Sequence, residues 1–211
     1  MLSKLDTVRK RLTSTVIGSE ESAYLMIVGL LSDGHILIQG APGIGKTTLA
    51  ETLATSIEGK FSRVQFTPDI LPADLLGYSI YHQGKEEFRF IEGPVFSNVL
   101  LADEINRTSP RIQSALLECM NERQVSIDGE TKKLSLPFMV IATQNPFEFE
   151  GTYVLPESQM DRFLIRISMG YPERKHEREI LTSHRLGQPG QQMEPVCTPA
   201  DILDIQKAVR N

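Results

Sequence analysis

A glycine-rich run close to position 40 contains the residues with the most specific chemical signature in the sequence. The run Gly40-Ala41-Pro42-Gly43-Ile44-Gly45-Lys46-Thr47 fits the phosphate-binding pattern GxxxxGK[ST] at every fixed position. Glycines let the backbone turn its N–H groups inward around phosphate oxygens, and a helix that follows directs its positive end at the same place. The pattern predicts that Lys46 binds the β- and γ-phosphates of a nucleoside triphosphate and that the Thr47 hydroxyl holds Mg²⁺.

Two adjacent carboxylates, Asp103 and Glu104, follow the apolar run Val99–Ala102. A carboxylate at the carboxyl end of a strand points into the crevice where ligands of parallel sheets bind. Asp103 is therefore predicted to join the Mg²⁺ shell, directly or through water, and Glu104 to act as the general base that activates the attacking water. An acidic pair is also common at a solvated strand end, so this interpretation depends on the phosphate-binding run.

Asn145 and Arg162 carry weaker signals. Asn145 follows the apolar run Phe138–Ala142 after two intervening residues, where its amide could position the water or touch the γ-phosphate. An asparagine before a proline is also an ordinary turn residue. Arg162 is either a surface arginine at the start of a strand that begins at Phe163, or a charge supplied to the phosphate of a neighbouring subunit.

Apolar periodicity predicts the elements that position these residues. A buried strand at 35–39 precedes the glycine-rich run, and a helix from Thr47 to Gly59 follows it. Further buried strands are predicted at 63–66, 99–102, 138–142 and 163–167, and helices over the first residues, over 19–33 and after Ser109-Pro110. Thr198-Pro199 is predicted to be a break. Strands that alternate with helices predict an α/β fold, here a P-loop NTPase αβα sandwich with a mainly parallel five-stranded sheet.

Composition narrows the class of protein. The 211 residues are 40% hydrophobic and 23% charged, which is ordinary for a soluble globular protein. With 22 basic and 27 acidic residues the formal charge is −5, so nucleic acid is not an expected partner. Cys119 and Cys197 are too few for a disulfide framework, and no apolar run approaches the roughly 18 residues of a membrane helix. We expect a cytoplasmic protein without membrane insertion.

The motif order GAPGIGKT, LLADEINR, ATQNP and LPESQMDRF resembles that of the AAA+ ATPases and, within them, the MoxR group. The resemblance extends from Val16 to Pro172. It implies an enzyme that hydrolyses ATP with Mg²⁺, with Asp103 and Glu104 as the Walker B pair. Asn145 would be sensor 1, and Arg162 the arginine finger that acts across a ring interface. The resemblance places Val16, Ile17 and Gly18 against the adenine, and residues Gly40 to Thr48 together with Asp103 around the phosphates.

Two β-hairpins are predicted as inserts. Strands at 78–81 and 88–91 flank the first turn, and the second hairpin has the strong two-residue turn Asp128-Gly129. On residue patterns alone, each hairpin is more often a simple surface connection. By the resemblance, the hairpin near 78–91 is similar to a helix-2 insert and the one near 124–135 to a pre-sensor-1 hairpin, loops that face the central pore in related machines.

The resemblance also implies an organisation and a function. Residues 1–171 would form the nucleotide-binding core and residues 172–211 the start of a helical lid that is expected to be truncated, since none of its arginines has a recognisable sensor-2 setting. The expected assembly is a homo-oligomeric ring, a hexamer, that remodels or matures partner proteins, among them von Willebrand factor A-domain proteins. Two alternatives stay open: a nucleotide-gated scaffold with negligible turnover, and a DNA-associated AAA+ motor. GTP is disfavoured because no NKxD motif is present.

Overall fold

The computed structural model describes residues 2–84, 86–146, 151–172, 176 and 194–210. In this part of the chain the helices are α1 (Leu2–Thr15), α2 (Glu20–Leu31), α3 (Lys46–Thr55), α4 (Pro72–Leu76), α5 (Pro110–Glu122), α6 (Glu157–Met160) and α7 (Pro199–Arg210), with a 3₁₀ turn at Ile105–Arg107. The strands are β1 (Ile36–Gly40), β2 (Phe61–Gln65), β3 (Gly77–His82), β4 (Glu87–Glu92), β5 (Val99–Asp103), β6 (Gln124–Ile127), β7 (Glu130–Lys133), β8 (Met139–Gln144) and β9 (Ile165–Met169).

A central sheet of five parallel strands organises these elements in the order β2-β5-β8-β1-β9. Its inner strands read as continuous apolar runs because both faces are covered. Within β1, Ile36 and Ile38 pack with α1, α2 and α3, while Leu37 faces the opposite cluster, which holds α5. Two hydrophobic clusters therefore lie on the two faces of one sheet, and the predicted αβα sandwich is confirmed.

Both predicted hairpins are present. Strands β3 and β4 pair antiparallel, as do β6 and β7. Asp128 and Gly129 have φ values of 54° and 80°, so the second hairpin closes through the predicted two-residue turn. At the base of the first hairpin, Gly77 has a φ of 98° and lies so close to its partner strand that a Cβ there would be 2.3 Å from the Ile91 carbonyl oxygen.

Several predicted boundaries are wrong. Helix α3 ends at Thr55 rather than at Gly59, and β2 is Phe61–Gln65 rather than 63–66. The last strand of the sheet begins at Ile165, because Phe163 is still in the turn that ends α6, where its N–H donates to the Met160 carbonyl at 3.0 Å. Thr198-Pro199, the predicted break, separates the non-helical residues 194–198 from α7, which begins at Pro199. Thr198 Oγ1 accepts the Asp201 N–H at 3.1 Å and Asp201 Oδ2 accepts the Thr198 N–H at 2.8 Å, which is a reciprocal capping box followed by proline at the first helical position.

The described residues beyond 193 pack on the same side of the sheet as α1, α2 and α3. Gln206 Nε2 donates to the Leu30 carbonyl at 2.7 Å, and Ile202 is buried in the cluster that these helices share. The division of the chain into residues 1–171 and 172–211 stays a prediction. No described helix has the length and apolar character needed to cross a membrane.

Candidate nucleotide-binding site

The candidate site lies at the carboxyl ends of four neighbouring strands. Gly40 ends β1, Asp103 ends β5, Gln144 ends β8 and Gln65 ends β2. Because these strands are parallel and adjacent, their ends meet at one edge of the sheet. The fold therefore brings together the glycine-rich loop and the acidic pair, which are far apart in sequence.

The glycine-rich loop has the backbone conformation that the motif requires. Gly43 and Gly45 have φ values of 79° and 93°, in the left-handed region that side chains disfavour, and Gly45 caps the amino end of α3. A Cβ on Gly43 would meet no atom within 4 Å, so the loop is open where a ligand would lie. At Gly40 a Cβ would be 2.5 Å from the Met169 carbonyl oxygen, so this position has no room for a side chain.

Lys46 is buried at the first residue of α3, and its ammonium group folds back into the loop. Its Nζ donates to the carbonyl oxygens of Gly40 at 2.6 Å and of Ala41 at 2.7 Å. Burial lowers the pKa of Lys46, whereas the nearby carboxylates of Asp103 and Glu104 act to raise it. The charge is held in place by groups that a phosphate could replace.

Asp103 is buried and surrounded by hydrogen-bond donors. The hydroxyl of Thr47 donates to its two oxygens at 3.1 and 3.3 Å, and that of Thr143 donates to Oδ1 at 2.5 Å. Arg63 on β2 adds an ion pair, with Nη2 2.9 Å from Oδ2. The two predicted magnesium ligands, Thr47 and Asp103, are therefore in direct contact.

Glu104 lies immediately beyond β5 in a strained backbone conformation, with φ 57° and ψ 50°. Its N–H donates to Thr143 Oγ1 at 2.9 Å, so one threonine connects the backbone of Glu104 with the carboxylate of Asp103. Its carboxylate Oε2 accepts from Gln65 Nε2 at 2.8 Å and from Arg107 Nη1 at 3.0 Å. The carboxylate is thus held between Gln65 of β2 and Arg107 of the 3₁₀ turn, with its side chain 29% exposed.

Asn145 follows the end of β8, at the same edge of the sheet. Its carbonyl oxygen is 3.4 Å from the Asn106 side-chain nitrogen, which joins it to the 3₁₀ turn that follows Glu104. The Asn106 Oδ1 atom is buried, and no described residue gives it a hydrogen-bond partner. The structure therefore places Asn145 next to the turn that follows the acidic pair.

The turn between α1 and α2 holds the three residues expected against the adenine. Val16 lies beside the loop: a Cβ on Gly45 would be 3.0 Å from Val16 Cγ1. Gly18 has a φ of 81°, and a Cβ there would be 2.6 Å from the ring of His176. Ile17 is half-buried in this turn, and Thr48 is exposed on the first turn of α3.

Arg162 is not brought to this edge. It is exposed in the turn between α6 and β9, just ahead of the residue that pairs with Ile36, the first residue of β1. The glycine-rich loop begins at Gly40, at the other end of β1, about 13 Å away from Ile36 at 3.3 Å per residue. Arg162 therefore lies at the opposite end of the sheet from the loop of its own chain.

Sequence reasoning missed four residues that contact the acidic pair: Arg63, Gln65, Arg107 and Thr143. Arg63 and Gln65 alternate along β2 and therefore share one face of the strand. The signal was present in that spacing, but using it requires knowing that β2 lies next to β5, which only the sheet order shows.

This fold, with a phosphate-binding loop opposite a strand-end acidic pair, defines a P-loop nucleotide-binding protein. The profile of the ATPase family associated with various cellular activities (AAA) matches residues 35–165, and the chain belongs to that family. The chain is similar to Chaperone MoxR1 of Mycobacterium tuberculosis, with 50% identity over 196 residues, which is 93% of this chain and 52% of that protein.

Two further proteins are similar to this chain over nearly its whole length. Protein YeaC of Bacillus subtilis is 46% identical over 202 residues, which is 96% of this chain and 63% of that protein. A crystal structure of a protein from Cytophaga hutchinsonii, described as a candidate ATPase, superposes with a TM-score of 0.86 at 42% identity, covering 99% of this chain and 63% of that one. The resemblance to the MoxR group is confirmed. The chain spans between about half and 63% of the length of these relatives.

Proposed function

We propose that this chain is the nucleotide-binding core of a MoxR-type ATPase that hydrolyses ATP with Mg²⁺. The observation that carries the proposal is the contact between the Thr47 hydroxyl and the Asp103 carboxylate, 3.1 Å apart, beside the buried ammonium group of Lys46. A hydroxyl, a carboxylate and a lysine in this order around a glycine-rich loop are the parts from which P-loop enzymes build a phosphate and metal site.

The residues present fit a magnesium ion. Thr47 and Asp103 offer only oxygen atoms, which are the ligands that this hard cation prefers, and Mg²⁺ in nucleotide sites uses one or two protein ligands together with water and phosphate oxygens. These two residues would hold the ion. When bound, it would offset negative charge on the phosphates.

The residues also fit a triphosphate. Lys46 can exchange its two carbonyl acceptors for phosphate oxygens, which form stronger, charge-assisted hydrogen bonds. The amino end of α3 starts at Lys46 and directs free N–H groups at the loop. Residues Gly40 to Thr48 would thus surround the phosphates, and Val16, Ile17 and Gly18 would contact the adenine.

Glu104 is proposed as the general base. It lies next to Asp103, and its carboxylate can take a proton from water once it leaves Gln65 or Arg107. Asn145 would position the same water from the end of β8. The strained backbone at Glu104 supports this role, since such strain concentrates at functional sites.

Arg162 is proposed to act on the neighbouring subunit of a ring. Its position at the far end of β1 supports a role in trans, because its side chain is too short to reach its own loop. A head-to-tail arrangement forms a ring when the rotation between subunits closes, and we propose that it closes here as a homohexamer. A guanidinium placed against a neighbour's γ-phosphate would stabilise the charge that develops during transfer.

The work of the ring is proposed to be chaperone-like remodelling or maturation of partner proteins in the cytoplasm, among them von Willebrand factor A-domain proteins. The similarity to Chaperone MoxR1 supports this class of function. The β3–β4 hairpin offers a surface for client contact, since Tyr78, Tyr81 and Phe88 are all exposed.

Phosphate release from ATP by the assembled protein tests the proposal, with Mg²⁺ present and with the metal removed by EDTA. We expect turnover that requires the metal, together with ATP binding measured by calorimetry. Tight ATP binding with no metal-dependent turnover would contradict the ATPase and favour the nucleotide-gated scaffold. Turnover that rises on addition of DNA would favour the DNA-associated motor.

A further inference from the structure

An arginine outside the phosphate-binding motif contacts the carboxylate that is proposed to hold the metal. Arg63 lies on β2, the edge strand of the central sheet, and its Nη2 donates to Asp103 Oδ2 at 2.9 Å. The same oxygen accepts from Thr47 at 3.1 Å. A permanent positive charge therefore lies on the oxygen that a divalent cation would approach, because a guanidinium stays protonated at every accessible pH.

Arg63 has a second acidic partner on the other side. Its Nη1 is 3.1 Å from Glu51 Oε1, and Glu51 lies on α3 one turn after Thr47. The Asp103 side chain is 8% exposed, whereas those of Arg63 and Glu51 are 46% and 40% exposed. The pair with Glu51 therefore lies on the solvent side, and Arg63 can keep it while its other nitrogen leaves Asp103.

We propose that Arg63 acts as a tethered counter-cation: it pairs with Asp103 until a divalent metal displaces it, and its ion pair with Glu51 then keeps it nearby. This inference rests on the proposed function, because it takes Thr47 and Asp103 as the metal ligands. Asp103 does not need Arg63 for its orientation, since Thr143 and Thr47 already hold both of its oxygens. The effect of Arg63 is therefore to weaken metal binding.

The test measures the dissociation constant of a fluorescent ADP analogue at low ionic strength, once in EDTA and once in Mn²⁺. The ratio compared between variants is the value in EDTA divided by the value in Mn²⁺. The ratio reports how much the metal contributes to nucleotide binding and requires no turnover. Arg63→Gln should raise the ratio about tenfold, because a unit charge in contact with the carboxylate opposes the metal, with part of the effect screened by solvent. Arg63→Lys, which keeps the charge, should leave the ratio near that of the wild type.

A change at Glu51 gives a second test, in which the ratio should move in the opposite direction. Glu51→Gln removes the group that retains Arg63, so the ratio should fall about threefold. In an Arg63→Gln background the same change should have an effect below twofold, since Glu51 is proposed to act through Arg63. If Arg63→Gln fails to fold, the ratios of Glu51→Gln and Arg63→Lys still test whether Arg63 weakens metal binding.

Lys60→Gln is the matched control. It removes the same charge at the amino end of β2, where Lys60 forms an exposed pair with Glu92, and should change the ratio by less than twofold. An unchanged or lower ratio in Arg63→Gln would overturn the proposal, as would an unchanged or higher ratio in Glu51→Gln. Asp103→Asn separates the two levels: if it leaves the ratio unchanged, the metal site itself is wrong; if it lowers the ratio while Arg63→Gln has no effect, only the role of Arg63 is wrong.

Discussion

The nucleotide edge of the sheet buries charged side chains, whereas the β3–β4 hairpin exposes aromatic ones. At the edge, the charged groups of Lys46 and Asp103 are buried, and each contacts several protein partners. On the hairpin, Tyr81 and Phe88 are 53% and 75% exposed, with their ring centroids 5.3 Å apart. Burying a charge is costly unless it is paired, so the edge is organised in advance for a charged ligand. The hairpin exposes apolar rings that the described part of the chain does not cover.

A change at Arg162 should lower turnover more than any other change, although within its own chain Arg162 lies neither at the nucleotide edge nor on the β3–β4 hairpin. If it completes the site of a neighbouring subunit, Arg162→Ala should lower turnover by about 10³- to 10⁵-fold, the range known for arginine fingers, while ATP affinity is kept. Arg166→Ala, a change at an exposed arginine on β9, is the control. Phosphate release and calorimetry on the assembled protein measure the two quantities.

Mixing gives a sharper form of the Arg162 experiment. Arg162→Ala protein mixed with Glu104→Gln protein should regain part of the activity, because some interfaces then pair an intact Glu104 with an intact Arg162. A mixture that exchanges subunits yet stays as inactive as its two components would show that Arg162 does not act in trans.

Glu104→Gln should have the next largest effect. The amide keeps the shape of the side chain and its bond to Gln65 while removing the base, so turnover should fall by about 10²- to 10⁴-fold with ATP affinity unchanged. Glu118→Gln, an exposed carboxylate on α5, is the matched control. Wild-type turnover in Glu104→Gln, measured by phosphate release, would mean that another group activates the water.

Lys46→Ala should weaken ATP binding by about 10- to 100-fold, which corresponds to the loss of charge-assisted hydrogen bonds to phosphate. The fold should be kept, because the hydrogen bonds of Lys46 within the described part of the chain go to two loop carbonyls and not to another element of the fold. Calorimetry measures the affinity and circular dichroism the fold, with Lys60→Ala as control. Unchanged affinity would break the assignment of the loop.

The sequence predicted the fold well where one local pattern was sufficient. The strands around the loop and the acidic pair are apolar runs with polar ends, and the Asp128-Gly129 turn has one preferred geometry. The short helix α4 was missed, since Pro72 reads as a breaker although it is the first residue of that helix. The predicted start of the last strand at Phe163 was wrong, because an aromatic side chain that is buried in a turn gives the same apolar signal as one in a strand.

At the site, the motif residues were predictable and their supporting residues were not. Lys46, Thr47 and Asp103 have fixed types because phosphate and metal chemistry demands them. Thr143 and Gln65 contact the acidic pair across strands, and their types carry no such signature. Their roles follow from the strand order β2-β5-β8, which sequence periodicity does not determine.

The smallest expected effects are changes in the free energy of unfolding, and they compare two phenylalanines of the β3–β4 hairpin. Phe90 and Phe88 are both on β4, two residues apart, and so lie on the same face. Phe90 packs edge-on against Phe96, with centroids 5.5 Å apart, and Lys132 Nζ is 4.8 Å from its ring centroid. Phe90→Ala should therefore lower the free energy of unfolding by about 1–3 kcal/mol.

Phe88→Ala should change the free energy of unfolding by no more than about 0.5 kcal/mol, because its ring is 75% exposed and packs against the neighbouring Tyr81 ring at the surface. Urea unfolding followed by circular dichroism measures both variants against the wild type. If Phe88→Ala is as destabilising as Phe90→Ala, the exposed ring is part of the core of this chain, and the hairpin offers no free apolar surface to a partner. A near-zero effect of Phe88→Ala, beside a clear loss for Phe90→Ala, leaves Phe88 without a structural role within the chain and makes it the variant of choice for testing client contact.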